Sequence, residues 1–308
     1  MVEWYIWAGF IGFIALVLLV DLGIFHREAH RVPFKEALAW TGVWVTLAMV
    51  FVVVMWVWRG GQVAGEFLAG YLIEWSLSLD NVFVWILIFT HFSVPARYQH
   101  RVLFWGIVGA VTLRLGFILG GTALINTFDW IIYAFGGLLL ITAVRFLRDR
   151  EQKGSMEETA ILRLVRRFLP MTETYDGQRL VVSNGGKLLA TPLLAVLIVV
   201  EVTDVVFAVD SIPAIFAVTQ DAFVVFASNA LAILGLRSLY FVLAGAVGRF
   251  RHLKPALAAL LAFVAIKMLI SSWIEIPIPV SLAAIVAILG VGALASWISR
   301  RGMDEPGT

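Results

Sequence analysis

Cysteine is absent from the 308-residue sequence, and charged residues make up only 14% of it. The lack of cysteine excludes disulfide bonds, thiolate metal sites and cysteine nucleophiles. The scarcity of charge accompanies 61% hydrophobic residues and a mean hydropathy of +0.94. A water-soluble domain is only about half apolar. These values therefore exclude a water-soluble domain and predict an integral membrane protein.

Long apolar segments recur along the chain, and each is close to the roughly 20 residues that a helix needs to cross a bilayer. We predict an all-α membrane domain of about nine transmembrane helices, near residues 5–25, 38–58, 67–90, 102–125, 130–148, 190–218, 223–248, 255–274 and 279–298.

Lys and Arg are distributed unevenly between the loops on the two sides. Alternate loops and the C-terminal tail carry eighteen of them, whereas the opposite set of loops carries only Arg59. Because positive residues stay on the cytoplasmic side, we predict a multi-pass protein of the inner (plasma) membrane, with its N-terminus outside and its C-terminus in the cytoplasm. The pI near 9.0 then reflects topology and not a nucleic-acid partner.

One long cytoplasmic loop, about 149–189, separates two groups of helices. It holds an amphipathic run from Glu157 to Leu169, followed by a β-hairpin signal centred on Asn184–Gly185. The loop is interpreted either as a connector between two halves or as a gate or docking element.

Acidic residues lie inside two of the predicted spans, where ionisable groups usually mark a pathway. The third span contains Glu74, Asp80 and Asn81, and the sixth contains Glu201, Asp204, Asp210 and Ser211. Glu74, Asp80 and Asn81 have the same spacing as Asp204, Asp210 and Ser211, which indicates an internal repeat.

The following spans support this repeat, because Arg114 precedes Gly120–Gly121 and Arg237 precedes Ala244–Gly245. The predicted topology orients the two copies oppositely, as in many secondary transporters with a binding site near the midplane. We predict one membrane domain with repeat one at about 67–148 and repeat two at about 190–274. Helices 5–58 and 279–298 are peripheral.

Helical geometry places Glu74, Ser78 and Asn81 on one face, with Asp80 about 120° away. Pro213 removes the hydrogen bond of the Val209 carbonyl, so we expect local helix breaks near Asp80 and Asp210 that let the carboxylates converge. An all-oxygen site without cysteine favours Mn²⁺, Mg²⁺ or Ca²⁺. The intramembrane bases Arg114, Arg237 and Lys267 are expected to pair with the carboxylates when no ion is bound.

Four segments resemble signatures of the TerC family, which includes the Alx-type proteins and is placed in the lysine-exporter superfamily. They read EWSLSLDNVF, EVTDVVFAVDSIPAIFAVT, SNALAILGLRSLYF and VRRFLPMTETYDG. The resemblance covers roughly residues 5–275. It implies links to manganese export, tellurite resistance or the alkaline-pH response. It also implies that the acidic and polar residues of the third and sixth spans form a metal path.

The sequence hypothesis is a metal exporter, with Mn²⁺ as the first candidate and either proton exchange or uniport as its mode. Glu74, Asp80, Asp204 and Asp210 are the predicted principal ligands. Asn81 and Ser211 complete the coordination, and Glu201 lines the cytoplasmic approach. No cofactor and no enzymatic activity are expected, and a membrane hydrolase is disfavoured because no histidine lies at depth. The alternative is a membrane assembly or stress-resistance factor with structural carboxylates; the oligomeric state is left open.

Overall fold

A computed structural model describes residues 2–20, 33–128, 130–148, 171–172, 175–184, 187–244, 253–274 and 276–301. The described elements are α1 (Trp4–Val20), α2 (Phe34–Arg59), α3 (Gly61–His91), α4 (Ala96–Thr127), α5 (Ile131–Arg148), β1 (Val181–Asn184), β2 (Lys187–Ala190), α6 (Pro192–Phe216), α7 (Ala222–Ala244), α8 (Leu253–Leu269) and α9 (Ile278–Arg301).

The helices confirm the predicted all-helical membrane class. Five described helices, α2, α3, α4, α6 and α7, are long and apolar enough to cross a membrane, and α1, α5, α8 and α9 contribute shorter apolar stretches. In a bilayer core without water, a helix satisfies its own backbone hydrogen bonds, so apolar sequence of this length folds as helix.

Several helix ends differ from the predicted ones. The third and fourth helices each begin six residues earlier, at Gly61 and Ala96. The start of α3 is set by Gly60, which has φ +89° and turns the chain directly from α2 into α3. Glycine adopts this left-handed region without the steric cost that other residues meet there. The sixth helix begins at Pro192 and not at 190, because the preceding residues are paired in a strand.

The predicted hairpin is confirmed. β1 pairs with β2 in antiparallel register, with Ser183 opposite Leu188 and Asn184 opposite Lys187. The Thr191 hydroxyl then donates to the Arg179 carbonyl at 2.7 Å and ties the end of β2 to the start of the segment. The amphipathic run from Glu157 to Leu169 lies outside the described residues.

Helix α7 forms the centre of the bundle and is buried along nearly its whole length. It packs against α2, α3 and α4, whereas α5 packs mainly on α8. Large apolar side chains on the outer surface include Val50, Val53 and Val57 of α2. In a bilayer these side chains would face lipid.

Contacts between helices define their relative directions. Thr219, just beyond the end of α6, donates to Glu66 near the start of α3 at 2.7 Å. Helices α4 and α6 run in the same direction, because Gly106 lies against Val200 and Gly121 against Phe216. Because the end of α6 lies at the start of α3, helices α3 and α6 run in opposite directions, as an inverted repeat requires.

The expected helix breaks are absent. Helix α3 continues through Asp80, and α6 continues through Asp210 with Pro213 inside its last turn. A proline this close to a helix end leaves few carbonyls without partners, and the backbone N–H of Ala217 still donates to the Pro213 carbonyl at 3.2 Å. The prediction of a local break was wrong for both helices.

Close packing of α3 on α7 generates a stability prediction. A Cβ at Gly70 would lie 2.7 Å from Ser228 Oγ and 3.1 Å from Ile215 Cγ2, whereas a Cβ at Gly42 meets nothing within 4 Å. We expect Gly70→Ala to lower the free energy of unfolding by about 1–3 kcal/mol through overpacking. Thermal unfolding of the detergent-solubilised protein measures the effect. Gly42→Ala is the matched control and should cause no loss; equal midpoints for the two variants would contradict the packing argument.

Candidate ion-binding site

A fully buried arginine joins α4 to α3 and α6, the two acidic helices that contain Glu74 and Asp204. Arg114 donates from Nε to Asp204 Oδ2 at 3.1 Å and from Nη2 to Asp204 Oδ1 at 3.0 Å. Its Nη1 donates to Glu74 Oε1 and, at 3.2 Å, to Ser211 Oγ. The guanidinium thus holds one carboxylate from α3 and one from α6 in a single buried cluster. The bidentate pairing with Asp204 matches the fork geometry that favours arginine at such positions.

Glu74 has two further donors. Ser78, one turn along α3, donates to Glu74 Oε1 at 2.6 Å, and Asn229 of α7 donates to Glu74 Oε2 at 2.9 Å. All three residues are buried. Three helices, α3, α4 and α7, therefore fix the position of this carboxylate.

Asn81 lies one turn beyond Ser78 on the same face of α3, as the helical spacing predicted. Its Nδ2 donates to Asp204 Oδ1 at 3.4 Å. Its Oδ1 is buried and accepts no hydrogen bond from the part of the chain that the structure describes. An unpaired buried carbonyl oxygen costs free energy, so this atom is a candidate ligand for a cation or a water molecule.

A cavity lies beside this cluster, between α3 and α6. Its volume is about 20 Å³, enough for about one water molecule or one small ion. The lining residues are Glu74, Leu77, Ser78, Asn81, Phe207, Asp210, Ser211 and Leu261. Carboxylates from both acidic helices therefore share one hollow.

Asp210 reaches this cavity from α6 and is held by α5. The hydroxyl of Thr142 donates to Asp210 Oδ1 at 2.9 Å. Arg145, one turn further along α5, is close enough to interact electrostatically with Asp210. Arg145 was not among the residues that the sequence predicted for the site.

Glu201 lies apart from the cavity. Its carboxylate rests on the backbone of α4, where a Cβ at Gly109 would approach Glu201 Oε1 to 2.1 Å. Oε2 is buried and accepts no hydrogen bond from any described residue. The role of Glu201 on the cytoplasmic approach stays a prediction.

The three remaining predicted residues have different outcomes. The Asp80 backbone lies in α3, but its side chain is outside the described part of the structure. Arg237 is buried in α7. Lys267 of α8 donates to Ser281 of α9 at 2.8 Å and has Glu66 as a charged neighbour, and neither of these residues lines the cavity.

No group of three or more acidic, histidine or cysteine side chains that could hold a metal ion is found among the described residues. The predicted convergence of Glu74, Asp80, Asp204 and Asp210 is therefore not seen there. The physical reason is that the Arg114 guanidinium lies between Glu74 and Asp204 and occupies the centre of the cluster. In this arrangement the two carboxylates bind a positive charge of the protein itself.

The charges of the site favour a cation. When both are ionised, Glu74 and Asp204 together carry one more negative charge than Arg114 neutralises, and Asp210 at the cavity has Arg145 as its charged neighbour. Breaking a buried ion pair by removing one partner costs several kcal/mol, so the carboxylates need either the guanidinium or another cation.

Two functional contacts were missed by the sequence argument. Asn229 was not among the residues predicted for the site, yet it donates directly to Glu74. Thr142 had no sequence signal, because a threonine in an apolar helix commonly bonds to its own backbone. Only the packing of α5 beside α6 reveals its contact with Asp210.

Comparisons with known proteins agree with the resemblance inferred from the motifs. Residues 59–303 match the family model described as "Integral membrane protein TerC family". The uncharacterized membrane protein STKORF319 of Myxococcus xanthus is 51% identical over 297 residues, covering 96% of this chain and 93% of that protein. Alx of Escherichia coli (strain K12), described as a proposed membrane-bound redox modulator, is 47% identical over 313 residues, covering 98% and 97%.

A membrane protein of Rickettsia bellii is 38% identical over 299 residues, covering 97% of this chain and 99% of its own. No solved structure matches the chain. The family model spans most of the sequence, and these relatives align along nearly their whole length. The chain therefore belongs to the TerC family of integral membrane proteins.

Proposed function

We propose that this protein is a secondary transporter that exports a divalent metal cation from the cytoplasm, with Mn²⁺ as the first candidate. The observation that carries the proposal is the shared cavity, which Glu74 of α3 and Asp210 of α6 line together with Asn81, whose buried Oδ1 accepts no hydrogen bond from a described residue. These atoms are oxygens of charged and neutral groups. Such ligands suit hard divalent cations.

Arg114 supplies the second part of the proposal. Its guanidinium binds Glu74 and Asp204 in the arrangement described here. A divalent cation entering the cavity competes for Glu74, so binding loosens the link that Arg114 makes between α3 and α6. A cation that changes the contacts between two helices has the differential affinity that a conformational change requires.

Equivalent contacts on the two sides of the bundle support an inverted repeat. A shift of 130 residues relates Asp80 to Asp210, and a shift of 123 relates Arg114 to Arg237. The same shifts convert one close contact into another. Gly70, which lies against Ser228, is related to Val200, and Ser228 is related, to within one residue, to Gly106, which lies against Val200.

A second pair of contacts obeys the same shifts. Glu201 lies on Gly109. The shifts relate Glu201 to Tyr71 and Gly109 to Ala232, and Tyr71 and Ala232 belong to one buried cluster. Both observations support the proposed units of about 67–148 and 190–274, facing opposite sides of the membrane. Rocking of one unit against the other would open the cavity to each side in turn.

The remaining parts of the proposal concern location and coupling. The distribution of Lys and Arg supports the inner membrane with an outside N-terminus. Carboxylates that release protons when they bind metal support exchange against protons, and the same residues would serve uniport.

The second candidate is a membrane assembly or stress-resistance factor, which the description of the relative Alx as a proposed redox modulator favours. A redox role of this chain would not use its own thiols, because the sequence has no cysteine. In this alternative the Arg114 cluster holds helices together and moves no ion.

The transport proposal predicts that neutral replacements at the cavity abolish export. Glu74→Gln and Asp210→Asn, each expressed in a cell that lacks its own manganese exporter, should fail to lower intracellular manganese, whereas the wild type lowers it. The reason is that each change removes a negative charge from the cavity. Elemental analysis of washed cells measures manganese, and immunoblots confirm equal membrane levels.

Asp176→Asn is the matched control, because Asp176 is exposed and pairs only loosely with exposed Arg179 at 3.4 Å. This variant should lower manganese as the wild type does. Unchanged manganese in cells with abundant wild-type protein would refute transport and favour the stress-factor alternative.

The Arg114 cluster generates a stability prediction. Arg114→Ala leaves Glu74 and Asp204 buried without their cation, so we expect a loss of about 3–5 kcal/mol in unfolding free energy. Asp204→Asn in the same chain should recover part of this loss, because it removes one of the unpaired charges. Denaturant unfolding of the purified protein measures both. A double variant less stable than Arg114→Ala would show that the cluster is not held by these charges.

A further inference from the structure

Threonine hydroxyls in the described helices follow one rule with one exception. Seven of them donate to the carbonyl four residues earlier, at distances of 2.7–3.0 Å: those of Thr41, Thr46, Thr90, Thr112, Thr122, Thr127 and Thr203. Thr142 instead donates to the Asp210 carboxylate at 2.9 Å. Since backbone bonding is always available within a helix, the exception indicates that Asp210 competes successfully for this hydroxyl.

The position of Thr142 is set by packing on both sides of α5. A Cβ at Gly136 would meet Leu269 at 3.1 Å and Met268 at 3.2 Å, so α5 lies tightly on α8. On the other side, the rings of Phe135 and Phe216 stack with centroids 6.2 Å apart. These contacts fix the depth of α5 along α6, and therefore the height of the hydroxyl opposite Asp210.

The hydroxyl determines how the carboxylate is presented. Thr142 bonds to Oδ1, while Oδ2 of Asp210 accepts no hydrogen bond that the described residues supply. Asp210 lines the cavity together with Glu74 and Asn81. Holding one oxygen by a short, stiff side chain limits the rotation of the carboxylate and leaves its other oxygen for a ligand. Groups that hold a ligand atom in place in this way commonly change affinity about 10–100-fold when removed.

We propose that Thr142 is a positioning residue for the divalent cation, acting through Asp210. This inference rests on the proposed function and adds α5 to the helices that form the ion site. Thr142 does not touch the ion. It fixes the carboxylate that does, and its loss weakens ion binding more than it slows the transport cycle.

The test uses Thr142→Val, which keeps the shape of the side chain and removes the hydroxyl, and Thr142→Ser, which keeps the hydroxyl. Initial rates of Mn²⁺ uptake into inside-out membrane vesicles are measured over a range of Mn²⁺ concentrations. We expect the apparent KM of Thr142→Val to rise about tenfold, in keeping with the loss of a hydrogen bond to a charged group. The maximal rate per molecule should change less, and Thr142→Ser should stay within about threefold of the wild-type KM.

Thr122→Val is the matched control, because its part-buried hydroxyl donates to the Ile118 carbonyl of its own helix at 2.8 Å. It should leave the KM unchanged. A wild-type KM in Thr142→Val, or a fall confined to protein abundance and maximal rate, would overturn the positioning role while leaving transport intact. Vesicles that take up no Mn²⁺ with abundant wild-type protein would overturn the proposed function and this inference together.

Discussion

The buried ionic cluster of Arg114, Glu74 and Asp204 is the constraint on which the arrangement of the bundle depends. It joins α3, α4 and α6 at one point, deep in a segment of the chain that is otherwise apolar. Burial of these charges is costly, and the cost is offset only while each carboxylate keeps a cation and its hydrogen-bond donors. Ser78 and Asn229 complete the set for Glu74, whereas Ser211 accepts from the guanidinium.

This constraint explains why the cavity lies where it does. Glu74 belongs both to the ionic cluster and to the cavity lining, and Asp210 faces it from α6. The hollow is therefore bordered by one carboxylate that an arginine already binds and one that a threonine hydroxyl holds. In the proposed transport, an entering cation would replace the guanidinium at Glu74, so that no buried carboxylate is left uncompensated.

The sequence was sufficient to predict features that depend on local pattern. Apolar length predicted the membrane class, Asn184–Gly185 predicted the hairpin, and the 100° rotation per residue placed Glu74, Ser78 and Asn81 on one face. Charge asymmetry in the loops also predicted that α3 and α6 run in opposite directions, which the contacts at Glu66 and Thr219 confirm.

Features that depend on which helices are neighbours were not predictable in this way. The partner of Arg114 was open from sequence, because spacing along α4 does not determine which faces of α3 and α6 it meets. The contact of Thr142 with Asp210 arises from the packing of α5 between α6 and α8. The expected breaks near Asp80 and Asp210 are absent, and Arg114 links Glu74 of α3 to Asp204 of α6 without them.

The most direct test of this account is equilibrium binding of Mn²⁺ to the purified protein, measured by electron paramagnetic resonance for the wild type and Arg114→Gln. If the guanidinium competes with the proposed ion for Glu74, the wild type binds Mn²⁺ and Arg114→Gln binds it more tightly, because the competing cation has been removed. A wild-type protein that binds no Mn²⁺, or a variant that binds it more weakly than the wild type while remaining folded, would contradict the account.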